Sequence, residues 1–190
     1  MSFKNDQVSE VETEKILALA RECLKVPGDF VEFGCYKGDT SLLLAELLVE
    51  NHVDKSVKKL WIYDSFEGLP EKGGLDESVL GVDFKKGELL VTKREVKERF
   101  LRAGLPVPVI KKAWFADLTG EDLPSRIAFA FLDGDFYESI RDSLKLVGPL
   151  MSDDGALVVH DYTNPALPGV KRAVDEWRMV QKNDFRMILL

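Results

Sequence analysis

The segment IAFAFLDGDFYES, Ile127 to Ser139, decides the fold. Six consecutive apolar residues, Ile127 to Leu132, show no alternation. Both faces of the segment must therefore be covered, as in a central strand of a parallel sheet. The run breaks at Asp133-Gly134-Asp135, and a helical pattern, YESIRDSLKLVGPL, follows from Tyr137. A buried strand that ends in acids and passes straight into a helix is part of a βαβ unit. In such sheets ligands sit outside the carboxyl ends of the strands.

The same arrangement recurs on either side. DFVEFGC, from Asp29, is a short buried strand running into a glycine turn. KKLWIYD ends in Asp64, and DDGALVVHD ends in Asp161. VPVIKKAWF is a further strand, and FRMILL begins one more at the end of the sequence. Between them lie helical patterns. Val8 to Lys25 is amphipathic and stopped by Pro27-Gly28; DTSLLLAELLVEN has Asp39 or Thr40 suited to its cap. TKREVKERFLRAGL is closed by Gly104, and PGVKRAVDEWRMVQK starts at Pro168. Residues 67–88 carry Gly-rich turns and little periodicity, which predicts a loop able to cover a site. The whole predicts an α/β, doubly wound, mostly parallel sheet with helices on both faces, Rossmann-like, in a single domain over residues 1–190 whose N-terminal helix falls within 1–26.

Composition narrows the partners. Twenty-six basic against 33 acidic residues leave a net charge of −7, with no basic stripe to neutralise phosphates, so nucleic acid is excluded as a partner. The pairs Lys58-Lys59, Lys85-Lys86 and Lys111-Lys112 read as solvated ends of elements. Two cysteines, Cys23 and Cys35, make no disulfide framework, which favours a reducing cytoplasm. The N-terminus is too polar for a secretory signal, and the longest apolar runs fall short of a membrane span.

The glycine turn VEFGCYKGDTS is compatible with three ligand classes. A Walker loop needs Lys after its last glycine, where Asp39 stands. The dinucleotide fingerprint needs G-x-G-x-x-G, and Gly34 and Gly38 are four apart, which argues against a nicotinamide oxidoreductase. S-adenosylmethionine asks for less: a glycine turn for close approach, helix N–H groups for its carboxylate and an acid for its ammonium. Glu32 suits the ammonium, Thr40 or Ser41 the carboxylate, and Asp64 the two ribose hydroxyls.

VPGDFVEFGCYKGDTSLLL, DSFEGLPE, KKAWFADL, FLDGDFYESIRDSLKLVGPLMSDDGALVVHDY and PGVKRAVDEW together resemble the macrocin O-methyltransferase family, metal-dependent class I methyltransferases acting on hydroxyls of sugars and antibiotic rings. A more distant likeness runs to catechol O-methyltransferase. The resemblance implies that Glu32, Gly34, Tyr36, Gly38, Thr40 and Ser41 surround the methionine part of the cofactor. It implies that Asp64, Ser65 and Phe66 hold the ribose, and that Trp114 and Phe115 flank the adenine. It also places a divalent metal, Mg²⁺ by family habit, on Asp133 and the pair His160-Asp161. Where relatives carry a second aspartate this chain has His160, and imidazole suits Zn, Fe or Ni better. The expected reaction is in-line methyl transfer to a small-molecule hydroxyl, with Asp133 in first place among the metal ligands and Asp135 or His160 as the base. The family's final antiparallel strand is missing from the pattern, so an open sheet edge leaves room for a homodimer. A rival reading is a catalytically silent cofactor-binding or scaffold domain.

Overall fold

A computed structural model describes residues 5–51, 58–81, 84–181 and 185–190. Six strands, β1 (Asp29–Phe33), β2 (Leu60–Asp64), β3 (Val109–Lys112), β4 (Ile127–Leu132), β5 (Met151–Val159) and β6 (Arg186–Leu189), form one sheet in the order β3-β2-β1-β4-β5-β6. Every pairing is parallel. β6 lies directly against β5, and no antiparallel strand occurs among the described residues.

The helices are α1 (Glu10–Glu22), α2 (Asp39–Glu50), α3 (Lys93–Ala103), α4 (Tyr137–Val147) and α5 (Pro168–Val180). Alternation along the strands sorts the two cores. Phe30, Ile62, Phe129, Phe131 and Val158 face one side with Leu44 of α2 and Val96 and Phe100 of α3. Val31, Phe33, Ala130, Leu132 and Val159 face the other with Ile140 and Leu144 of α4 and Val174 of α5. Glu32 follows the period of Phe30 and so falls on the face that α2 covers.

Several local readings change. The N-cap of α2 is Gly38, in the left-handed region at φ 81°, and Asp39 and Thr40 lie within the first turn. The turn must reverse sharply there, which glycine does without a Cβ penalty. The first helix starts at Glu10, behind a Ser9–Glu12 capping box, and its last residues, Cys23–Lys25, tighten into a 3₁₀ turn. β3 stops at Lys112, so Trp114 and Phe115 stand beyond the strand. Lys58 is not a solvated end: its ammonium donates to the carbonyls of Val26 and Gly28, tying down the chain before β1.

β1 and β4 are neighbours although the chain reaches them from opposite directions, so the sheet's switch point lies between them. The ladder runs one residue past each strand. Gly34 N–H donates to Tyr63 O, Asp133 N–H to Phe33 O and His160 N–H to Leu132 O, at 2.8–3.0 Å. Gly34, Asp133 and His160 therefore emerge level with one another at one rim.

Candidate active site

That rim opens into a cavity of about 270 Å³. Glu32, Gly34, Tyr36 and Thr40 line it from the first strand and its turn, and Asp64 and Ser65 from the second. Trp114 and Phe115 contribute from beyond β3, and Asp133, Asp135, His160 and Asp161 from the ends of β4 and β5. Gly38, Ser41 and Phe66 stand off the lining: Gly38 caps α2, Ser41 is fully buried beneath Glu32, and Phe66 packs into the core.

Gly34 shows how closely the strand ends meet. Its φ is +84°, and a Cβ built there would lie 1.9 Å from the Asp133 carbonyl oxygen. Non-glycine residues at positive φ, Tyr36, Phe66, Leu89, Asp135 and Asp161, cluster around the same cavity, and all but Phe66 line it. Such backbone strain persists where the surrounding structure over-determines it, and it concentrates at functional sites.

Glu32 is 1% exposed and accepts a hydrogen bond from Ser41 Oγ. Burial pushes its carboxyl up to about 8, against the Ser41 hydrogen bond and with further push from the charges of Asp133 and Asp64. Asp64 accepts three backbone N–H groups: Cys35 at 2.9 Å and Tyr36 at 3.3 Å on Oδ2, and Phe66 at 2.7 Å on Oδ1. A carboxylate has about four acceptor sites. Asp64 thus locks the glycine turn and retains capacity for one further donor, not the pair expected from the sequence.

The outer side of the turn is held by α3. Arg99 donates from Nη1 to Lys37 O at 2.6 Å and from Nη2 to Asp39 Oδ1 at 2.5 Å. The N-terminal segment closes over the same corner: Asn5 Nδ2 donates to Thr40 Oγ1 at 2.8 Å, and Asn5, Gln7 and Val8 join the cavity lining. Neither Arg99 nor Asn5 carries a signal in the sequence, and Asp39 is marked there only as a cap candidate, because each acts through a contact between distant segments.

At the other end, His160 Nδ1 lies 2.9 Å from Asp133 Oδ1 and 3.0 Å from Asp161 Oδ2, with Glu12 Oε2 3.9 Å from Nε2. Burial opposes a charge on this imidazole, but the hydrogen bonds and charges of Asp133 and then Asp161 prevail and push it to about 11. Asp161 is held below the usual carboxylate range: burial works against this, and His160 and the Asn164 side chain outweigh it. Asp135 is pushed well above that range, by burial and then by the charges of Asp133 and Asp161.

The ligand atoms of Asp133, His160 and Asp161 all lie within 4.8 Å of one another. Two donors at right angles on bonds of about 2.1 Å are about 3.0 Å apart. The two separations from His160 Nδ1 match that edge, so each carboxylate is placed to share a divalent cation with the imidazole once Nδ1 gives up its proton, with Glu12 behind the imidazole as an outer carboxylate.

A loop from β2 roofs the cavity. Its base is pinched shut by Leu69 N–H to Glu88 O and Gly87 N–H to Leu69 O, at 2.8 and 2.9 Å. Leu69, Pro70, Phe84 and Leu89 supply an apolar wall, and Leu167 faces them from the start of α5. The loop is anchored by Asp76, 2% exposed, whose Oδ1 accepts the Tyr137 N–H at 2.7 Å.

Comparison with known proteins gives a consistent picture. Residues 13–188 match the model of the macrocin O-methyltransferase family. A relative from Streptomyces olivaceus, 8-demethyl-8-(2,3-dimethoxy-alpha-L-rhamnosyl)-tetracenomycin-C 4'-O-methyltransferase, is 34% identical over 158 residues, 80% of this chain and 59% of the relative. Demethyldecarbamoylnovobiocin O-methyltransferase from Streptomyces niveus is 32% identical over 86% of this chain and 65% of its own. The chain thus spans about three fifths of the length of these curated relatives. Among solved structures, the O-methyltransferase NovP superposes with a TM-score of 0.77 at 30% identity, covering 88% of this chain and 71% of NovP. CalS11, a calicheamicin methyltransferase, shares the fold at a TM-score of 0.74 and 20% identity, over 92% of this chain and 72% of its own. A family match spanning nearly the whole chain, on a sheet of the same class I, Rossmann-like form, settles its affiliation: the chain belongs to the macrocin O-methyltransferase family.

Proposed function

We propose that this chain is an S-adenosylmethionine-dependent O-methyltransferase acting on a hydroxyl of a sugar or natural-product small molecule. One observation carries the reading: the turn between Glu32 and Thr40, the Asp64 carboxylate and the Asp133–His160–Asp161 trio open into a single cavity. Relatives named for methyl transfer to a rhamnosyl-tetracenomycin and to demethyldecarbamoylnovobiocin support the acceptor class.

In this reading Glu32 receives the cofactor's ammonium, the start of α2 with Thr40 receives its carboxylate, Asp64 and Ser65 hold the ribose, and Trp114 and Phe115 flank the adenine. A divalent cation on Asp133, His160 and Asp161 would supply a lowered pKa and a fixed position to the acceptor oxygen. His160 does not serve as the proton acceptor: its Nδ1 would be taken by the cation, and without a cation Asp133 and Asp161 hold a proton there. Asp135 takes the hydroxyl proton instead. Its affinity for protons is raised, and the sulfonium charge entering beside it favours the ionised form that a base requires. The remaining task is alignment, and the level strand ends hold donor and acceptor sites side by side. In the same reading the described residues act as one domain in the cytoplasm, and the chain forms a homodimer.

Asp133→Ala tests it. Transfer of labelled methyl to a rhamnosylated aromatic acceptor should be abolished while S-adenosylhomocysteine still binds; retained transfer rejects the role of Asp133. The silent-domain alternative draws on the engagement of His160 by both carboxylates. It predicts cofactor binding with no transfer to any acceptor in the presence of divalent metal.

A further inference from the structure

We infer that Asn5 is a positioning residue for the cofactor: it fixes the Thr40 hydroxyl so that the proton is turned into the cavity, for the cofactor's carboxylate. This rests on the methyl-transfer reading and deepens it at the amino acid end of that site. Asn5 lies in the segment before α1, and its side chain is held at both ends. Its Oδ1 accepts the N–H groups of Gln7 and Val8, both at 3.0 Å, closing an Asx turn. Two N–H donors fix which end of the amide is oxygen, because an NH₂ group there would meet donors only. The other end is therefore Nδ2, and it donates to Thr40 Oγ1 at 2.8 Å. Val8, 3% exposed, packs into the core behind the turn, and the Asp6 N–H reaches Asp39 Oδ2 at 3.4 Å. The segment is thus fastened to two adjacent residues in the first turn of α2.

A hydroxyl has one proton to give and two lone pairs to accept with, whereas an amide NH₂ only gives. Thr40 Oγ1 must therefore accept from Asn5, and its own proton goes elsewhere. Among the described residues no oxygen takes that proton. Thr40 is buried but lines the cavity, beside the first-turn N–H groups of α2, which have no side-chain cap. A proton fixed in that direction suits a carboxylate, which only accepts, and repels an ammonium, which only donates. On the neighbouring strand Glu32 has the opposite character, with Ser41 Oγ already donating to it. Asn5 thus sorts the two ends of the cofactor's amino acid: carboxylate to Thr40, ammonium to Glu32.

The test is a calorimetric titration of the full chain with S-adenosylhomocysteine and with S-adenosyl-3-thiopropylamine, which keeps the ammonium and lacks the carboxylate. Asn5→Asp is the decisive variant. Its carboxylate still accepts the Gln7 and Val8 N–H groups, so the turn keeps its shape, but it has no proton to give and draws the Thr40 proton to itself. A lost hydrogen bond to a charged group, with a like charge added nearby, should weaken S-adenosylhomocysteine at least about thirtyfold. The carboxylate-free probe should bind within about twofold of its native affinity, or tighter. On a Thr40→Val background no hydroxyl remains to turn, and Asn5→Asp should cost S-adenosylhomocysteine at most about fivefold, from charge alone. Equal losses for the two probes, no loss for either, or a full loss on the Thr40→Val background overturns the inference and leaves the methyl-transfer reading standing. No binding of S-adenosylhomocysteine to the native chain overturns the reading beneath it.

Discussion

Replacing Glu32 by Gln separates two consequences of burying a carboxyl under a cofactor turn. Burial pushes Glu32 from 4.5 up to about 8. Between those values the folded chain keeps a proton that the unfolded chain has released, so stability falls as pH rises through that window. The two pKa values correspond to a loss of about 0.8 kcal/mol at pH 5 and about 3 kcal/mol at pH 7. Gln preserves the acceptor for Ser41 Oγ and the shape of the side chain, but it does not titrate. The variant should therefore gain on the native chain by about 2.5 kcal/mol between pH 5 and pH 7, most visibly as a later urea midpoint at the higher pH. Cofactor affinity should move the other way. An ammonium facing an amide in place of a carboxylate loses a charge-assisted bond, so S-adenosylhomocysteine should bind at least about tenfold more weakly. Urea unfolding of the ligand-free proteins at the two pH values, followed by calorimetric titration, measures both. A stability gap that stays constant or narrows with pH would refute the buried-acid argument.

Three further outcomes follow from the same geometry. Arg99→Ala frees the outer side of the glycine turn and should raise the KM for S-adenosylmethionine about tenfold with kcat nearly unchanged; Arg99→Lys, which cannot reach both Lys37 O and Asp39, should restore little of it. Gly34→Ala forces a methyl to 1.9 Å from the Asp133 carbonyl at positive φ, and should lower the thermal midpoint by many degrees and abolish cofactor binding. For His160 the folded value of about 11 lies above the ordinary 6.5, so its contribution is complete below pH 6.5 and fades as pH rises towards 11. The destabilisation of His160→Gln, measured by urea unfolding without metal, should accordingly be largest at pH 6 and shrink by pH 10.

Much of the sheet was legible because buried parallel strands leave unbroken apolar runs, and Asp64, Asp133 and Asp161 each mark where such a run meets the rim. The cap signals of α3 and α5, Gly104 and Pro168, were equally plain, since φ restrictions act locally. What escaped is long-range. Asp64 looks like a ligand for two hydroxyls until its oxygens are seen holding the N–H groups of Cys35, Tyr36 and Phe66. Lys58 reads as a solvated end and Asp76 is one more acid in a loop, because nothing in their neighbours along the chain reveals the carbonyls and helix starts they meet. His160 stood out as a departure from the family pattern, but its lock between two carboxylates is a property of β4 and β5 being adjacent.

The central claim is that one cavity holds a sulfonium donor against the Asp133–His160–Asp161 trio, and a crystal structure grown with S-adenosylhomocysteine and a divalent cation tests it most directly. The account predicts the amino acid end of the ligand at Glu32 and Thr40, its ribose at Asp64, its sulfur facing Asp133, and the cation within bonding distance of Asp133, His160 and Asp161. A ligand seated elsewhere, or a cation bound away from those three side chains, would contradict it.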